Sequence, residues 1–167
     1  MNLFILRHGI AVEPGTPGYS NDADRPLIPK GERKLAQIAD ALDNLQISFD
    51  LVLSSPFLRA RQTAQIIAEA LEISKKVSLT EELTPHGDPK KLVDFLCHIK
   101  PLPDDVLLVG HEPYLSEFIS LLLVGNTSLS VIMKKGGLCK LSTESLKAGR
   151  CASLEWLLTP KLMAAMT

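Results

Sequence analysis

The chain has 167 residues, long enough to bury a core without disulfide or metal staples and short enough to predict one domain over residues 1–167. Its 46% hydrophobic and 22% charged residues are near the averages for globular proteins, and a formal net charge of −1 argues against a footprint for nucleic acid or an anionic membrane. The apolar runs are too short to span a bilayer, and Met1 leads into a strand pattern instead of a basic leader, which predicts a cytoplasmic protein. Leu3–Leu6 is a short apolar run stopped by Arg7-His8-Gly9, the pattern of a strand buried on both faces. Ile10 to Pro29 is rich in Gly, Pro, Asp and Asn and predicts a long loop, a feature usually tied to function. Pro29-Lys30-Gly31-Glu32 opens a helix whose apolar positions Leu35, Ile38, Ala39, Leu42 and Leu45 recur every three or four residues.

Asp50–Ser54 is a second buried strand, and Ser55-Pro56 predicts a helix start with a hydroxyl N-cap and a first-turn proline. Ile66, Ile67, Ala70 and Leu71 give that helix its inner face. A weaker strand at Val77–Leu79 precedes a polar loop over Thr84–Pro89 and a helix over Lys90–Ile99. Val106–Val109 forms another buried strand that ends at Gly110-His111, and Pro113–Val124 is helical with Leu115, Phe118, Ile119, Leu122 and Leu123 inward. Ser130–Met133, Leu138–Thr143 and Ala152–Leu158 read as outer strands, two of them an antiparallel edge pair, and Pro160 begins a short last helix. Strands alternating with helices predict an α/β fold, a three-layer α/β/α sandwich with a mostly parallel sheet and an antiparallel edge.

Ligands of open α/β sheets bind off the carboxyl ends of the strands, where both His8 and His111 fall. Arg7 precedes the first histidine, and Arg59 lies one turn into the helix after Ser55-Pro56. Guanidinium forks match phosphoryl oxygens, and helix N-termini attract anions, so these residues together suit a phosphate pocket. Arg59 and Arg61 cannot both face it, being two helix positions apart. Thr63 shares the face of Arg59 and reads as packing, as do Cys97, Cys139, Cys151 and Trp156. The cysteines have no CxxC spacing, and His86 and His98 lack partners at metal-ligand spacing, so no disulfide framework or zinc site is expected. Lys134-Lys135-Gly136-Gly137 reads as a basic turn between strands.

Arg7-His8-Gly9, Ser54-Ser55-Pro56-Phe57-Leu58-Arg59-Ala60-Arg61-Gln62-Thr63-Ala64 and Val109-Gly110-His111-Glu112-Pro113 together resemble the histidine phosphatase (phosphoglycerate-mutase-like) superfamily, over the whole chain. The resemblance implies that His8 is a nucleophile passing through a phosphohistidine, with Arg7, Arg59 and His111 holding the phosphoryl oxygens. Neither a metal nor another cofactor is expected, because arginines supply the positive charge. Asp24–Gly31 and Glu82-Leu83-Thr84-Pro85 with Gly87-Asp88 further resemble the short SixA-type phosphohistidine phosphatases.

Two features depart from the mutase pattern. The superfamily commonly places an acidic proton donor after the third strand; here Glu82, with Glu81 behind it, is the candidate, and a solvated capping role is equally open. Between Glu82 and Val106 there is room for one short helix, which predicts a shallow, open pocket. Both features suit a phosphoryl group on a protein surface, such as a histidine-phosphotransfer domain. A small-molecule phosphomonoesterase or phosphomutase, and a phosphate-binding module without turnover, are the competing readings. Arg25 either reaches the pocket from its loop as a phosphate ligand or pairs with Asp22 or Asp24.

Overall fold

The computed structural model describes residues 1–166. The three longest buried runs become adjacent parallel strands: β2 (Leu51–Ser54), β4 (Asp105–Gly110) and β1 (Asn2–Arg7). β3 (Val77–Leu79) extends the parallel set beside β2, while β5 (Leu138–Ser142) and β6 (Ser153–Leu158) add an antiparallel pair beyond β1. The sheet order is β3-β2-β4-β1-β5-β6. Successive residues of a strand face opposite sides, and here both sides are apolar. Phe4, Leu6, Val52, Leu107 and Val109 pack beneath α1 (Pro29–Asn44), α2 (Leu58–Ala70) and α5 (Pro160–Met163). Leu3, Ile5, Leu53, Val106 and Leu108 pack beneath α3 (Pro89–His98) and α4 (Tyr114–Val124). The result is the expected three-layer α/β/α sandwich, with helices on both faces of a mostly parallel sheet and an antiparallel edge. No helix of the described residues is long and apolar enough to cross a membrane.

Several local expectations need correction. Residues 130–133 do not form a strand: Val131 and Met133 spend their carbonyls on the Ser116 hydroxyl and the Arg7 guanidinium instead of a ladder. The second long helix begins at Leu58 with Phe57 as its N-cap, and the Ser55 hydroxyl before it accepts from Phe57 N–H and lies against His111. Its buried face is Ala60, Thr63, Ala64, Ile67 and Ala68, and Ala70 is exposed. Leu45 lies just past the end of α1 and is exposed, while Cys97, Cys151 and Trp156 are only partly buried. The Ile10–Pro29 stretch is not irregular throughout. An Ala11–Leu27 bridge, flanked by Val12 N–H to Pro26 O and Ile28 N–H to Ile10 O, clasps its two ends. Its far end forms a short 3-10 turn at Asp22–Asp24 that packs against α2.

Candidate active site

Arg7 is in register with Gly110, so His8 and His111 leave adjacent parallel strands side by side. Their rings lie 5.1 Å apart, centre to centre, and are 6% and 1% exposed. The His8 backbone is pinned twice: its N–H donates to Gly110 O at 3.0 Å, and its carbonyl accepts from Gly136 N–H at 3.1 Å. Gly136 adopts φ +78°, a conformation that favours glycine, so the basic turn also buttresses the end of β1. His8 Nδ1 lies 2.7 Å from Gly9 O. A carbonyl only accepts, so in the neutral ring Nδ1 carries the proton and Nε2 keeps its lone pair. That lone pair meets Arg59 Nε–H at 3.3 Å. Burial pushes the His8 pKa down to about 3, helped by the charges of Arg59, Arg7 and Lys135 and opposed by the Gly9 bond. His8 is therefore neutral at neutral pH.

Arg59 is almost wholly buried, and its other nitrogens are held by one residue. Nη1 donates to Asp22 O at 2.7 Å, and Nη2 donates to Asp22 Oδ2 at 2.9 Å. The other Asp22 oxygen, Oδ1, accepts from Arg25 Nε at 2.8 Å and Nη2 at 2.6 Å, while Arg25 Nη1 donates to Val12 O. Burial raises the Asp22 pKa, but hydrogen bonds from Arg25 and Arg59 outweigh it and leave the carboxyl below its ordinary range. Arg25 is paired with Asp22, the residue that also holds Arg59. Asp24 accepts instead from the Asn21 amide. Arg61 is exposed, so Arg59 is the arginine of this helix that reaches the histidines.

His111 Nε2 lies 2.9 Å from Ser55 Oγ, which also accepts from Phe57 N–H at 3.3 Å. Its Nδ1 is buried with no protein partner, a polar atom left for something else to satisfy. Burial lowers the His111 pKa to about 2, with His8 and Arg59 acting in the same sense. Arg7 donates through Nη1 to Met133 O at 2.8 Å, and its Nε is likewise buried without a protein partner. Burial lowers the Arg7 pKa, and the half-buried Glu112 opposes this.

Glu82 sits in a 3-10 turn over Glu81–Leu83 just after β3, half-buried, and its charge acts on the buried Tyr114 hydroxyl. His86 and His98 are exposed. Among the described residues no group of three His, Cys, Asp or Glu side chains is placed to hold a metal ion. Sequence reasoning missed three members of this constellation. Ser55 was absorbed into a helix cap, Thr63 into packing, and Asp22 entered only as a partner of Arg25, although its three-residue spacing to Arg25 was the available signal.

The arrangement offers a lone pair on a neutral imidazole, a buried and a half-buried guanidinium and an unsatisfied imidazole nitrogen in one cluster, a set suited to accepting a phosphoryl group. The chain belongs to the histidine phosphatase superfamily (branch 1), whose model matches residues 3–85, and it is a phosphatase of that superfamily. It is similar to the phosphohistidine phosphatase SixA of Escherichia coli, at 30% identity over 76% of this chain and 77% of that protein. An uncharacterized protein of Picosynechococcus is 37% identical over 83% of this chain and 82% of its own length. The solved structure of the protein histidine phosphatase SixA with tungstate superposes with a TM-score of 0.83 at 26% identity, covering 96% of this chain and 98% of that one.

Proposed function

We propose that this phosphatase removes the phosphoryl group from phosphohistidine on a partner protein of the histidine-phosphotransfer kind, through a phosphohistidine formed on His8. The observation that carries the reading is the state of His8: buried, neutral, with Nδ1–H held by Gly9 O and the Nε2 lone pair beside Arg59. In this reading Nε2 attacks phosphorus in line, and the bond from phosphorus to the leaving nitrogen breaks. A phosphohistidine ring already protonated on its other nitrogen leaves as neutral imidazole, and the positive charge passes to the His8 ring, whose Nδ1–H stays on Gly9 O. Water then displaces phosphate as H₂PO₄⁻ and returns His8 to its neutral form. Arg7, Arg59 and His111 hold the equatorial oxygens, with the orphaned Arg7 Nε and His111 Nδ1 as ready contacts.

Three things favour a protein-borne phosphohistidine. The SixA relative bears that activity in its name. The segment from Glu82 to Val106 carries one ten-residue helix, α3, and adds no helical wall to enclose a small molecule. An imidazole leaving group also needs no proton from the enzyme, whereas an alkoxide does, so Glu82 matters only for esters. Three free thiols fit a reducing cytoplasm. The test is a comparison of kcat/KM on a phosphorylated histidine-phosphotransfer protein, phosphoglycerates and sugar phosphates, with wild type and Glu82→Gln. The phosphoprotein should be preferred, and Glu82→Gln should slow only the esters. A preference for a small phosphomonoester would make the chain a small-molecule phosphatase with the same four residues in their roles.

A further inference from the structure

We infer that Thr63 is a positioning residue that sets the tautomer of His8 through the backbone of Gly9. The inference rests on the reading of His8 as nucleophile. Thr63 is fully buried on α2, one turn beyond Arg59. Its hydroxyl donates to Arg59 O at 2.7 Å, an ordinary bond within a helix, and accepts from Gly9 N–H at 3.0 Å, a residue of another element. The second bond is the informative one. A threonine needed only to fill space between α2 and the sheet could be valine, which has nearly the same shape.

Gly9 is the residue whose carbonyl receives the His8 Nδ1 proton, at 2.7 Å. It lies outside the left-handed region, so its lack of a side chain serves close packing: a Cβ there would come within 2.7 Å of Leu35 Cδ1. A glycine has no side chain to hold its own dihedrals, and its carbonyl is aimed only as well as its neighbouring peptides are fixed. On the far side, Ile10 O is held by Ile28 N–H at 3.0 Å. On the near side the His8–Gly9 peptide has two anchors, Gly136 N–H on His8 O at 3.1 Å and the Thr63 hydroxyl on Gly9 N–H at 3.0 Å, and only the second is a side chain. The chain of bonds Arg59 O, Thr63 Oγ1, Gly9 N–H and Gly9 O, His8 Nδ1–H therefore ties the helix that carries the guanidinium to the ring that carries the lone pair. With Gly9 O in place, the proton stays on Nδ1 and Nε2 is free to attack. With that carbonyl turned away, the proton is free to move to Nε2, and the nucleophilic lone pair is lost in a share of the molecules.

The experiment compares wild type, Thr63→Val and Thr63→Ser with ¹⁵N-histidine labelling at neutral pH and with steady-state kinetics. Wild type and Thr63→Ser should show His8 as the single Nδ1–H tautomer. Thr63→Val should show a mixed or Nε2–H tautomer and lose about tenfold or more in kcat, with KM within about twofold of wild type. In the wild-type protein, the Gly9 amide should be protected from hydrogen exchange, a measurement that stands if Thr63→Val does not fold. An unchanged His8 tautomer in folded Thr63→Val, or a freely exchanging Gly9 amide in wild type, overturns the inference. Absence of turnover by wild type on every phosphoryl substrate would instead overturn the functional reading, and the tautomer and exchange measurements would still decide the role of Thr63.

Discussion

Arg59→Ala removes a side chain that touches both the proposed nucleophile and the Asp22 loop. Its Nε lies 3.3 Å from His8 Nε2, while Nη1 and Nη2 are turned toward Asp22. Deleting one preorganised donor from a transition state costs about 2.7–4 kcal/mol, a loss of about a hundredfold to a thousandfold in kcat. The stability cost is smaller. The truncation breaks the bridge to the half-exposed Asp22, which stays paired with Arg25, and empties a buried position, so a cost of about 0.5–3 kcal/mol is expected. Each kcal/mol lost moves Tm by about 2–4 °C in a domain of this length. Arg59→Lys should recover little, because one ammonium cannot serve His8 and both Asp22 acceptors together. Arg61→Ala, at an exposed position two residues on, is the internal control and should be nearly silent. The assay is kcat and KM with a thermal melt for each variant. Arg59→Ala within about tenfold of wild type, or a loss in Arg61→Ala matching it, would refute the assignment of the arginine.

His111→Ala should lose on the order of a hundredfold in kcat/KM. Ser55→Ala should lose less, about tenfold, by freeing the ring that Ser55 Oγ holds at 2.9 Å, with little change in the melt. The two buried rings also predict an acid-labile fold. His8 and His111 titrate at about 3 and about 2 when folded, depressed first by burial, whereas an exposed histidine titrates near 6.5. Between those values the unfolded chain holds protons that the native state lacks, so stability falls as pH drops below about 6.5, by up to about 1.4 kcal/mol per pH unit for each ring. Denaturant melts from neutral pH to pH 4 should show this slope, and His111→Gln should flatten it; a pH-independent melt in wild type would contradict the buried neutral state.

Much of this arrangement was legible in the sequence because it depends on strand ends. A short apolar run that stops at a histidine fixes where that histidine emerges, and the parallel pairing of β1 with β4 does the rest. Helix geometry left room for only one of Arg59 and Arg61 at the pocket, and the family resemblance, through the spacing from Ser55, favoured Arg59. What could not be read lies in backbone hydrogen bonding between distant elements. Nothing in Ser55-Pro56 distinguishes a helix cap from a hydroxyl turned to His111, and nothing in the 130–133 stretch reveals that its carbonyls serve Arg7 and Ser116. Arg25 posed a similar problem, since its choice between pocket and Asp22 depends on how the clasped loop folds back on α2. Glu82 follows β3 as expected, but its setting beside Tyr114 comes from α4, a distant part of the chain.

If His8 accepts the phosphoryl group, the covalent phosphohistidine can be trapped during turnover. Wild-type protein should be mixed with a ³²P-labelled phosphohistidine protein, quenched in alkali within milliseconds and mapped by peptide. Label should appear on the peptide carrying His8, stable to base and lost in acid, and should be absent from a folded His8→Ala variant. Label on a serine, cysteine or aspartate, or full turnover by His8→Ala, would contradict it.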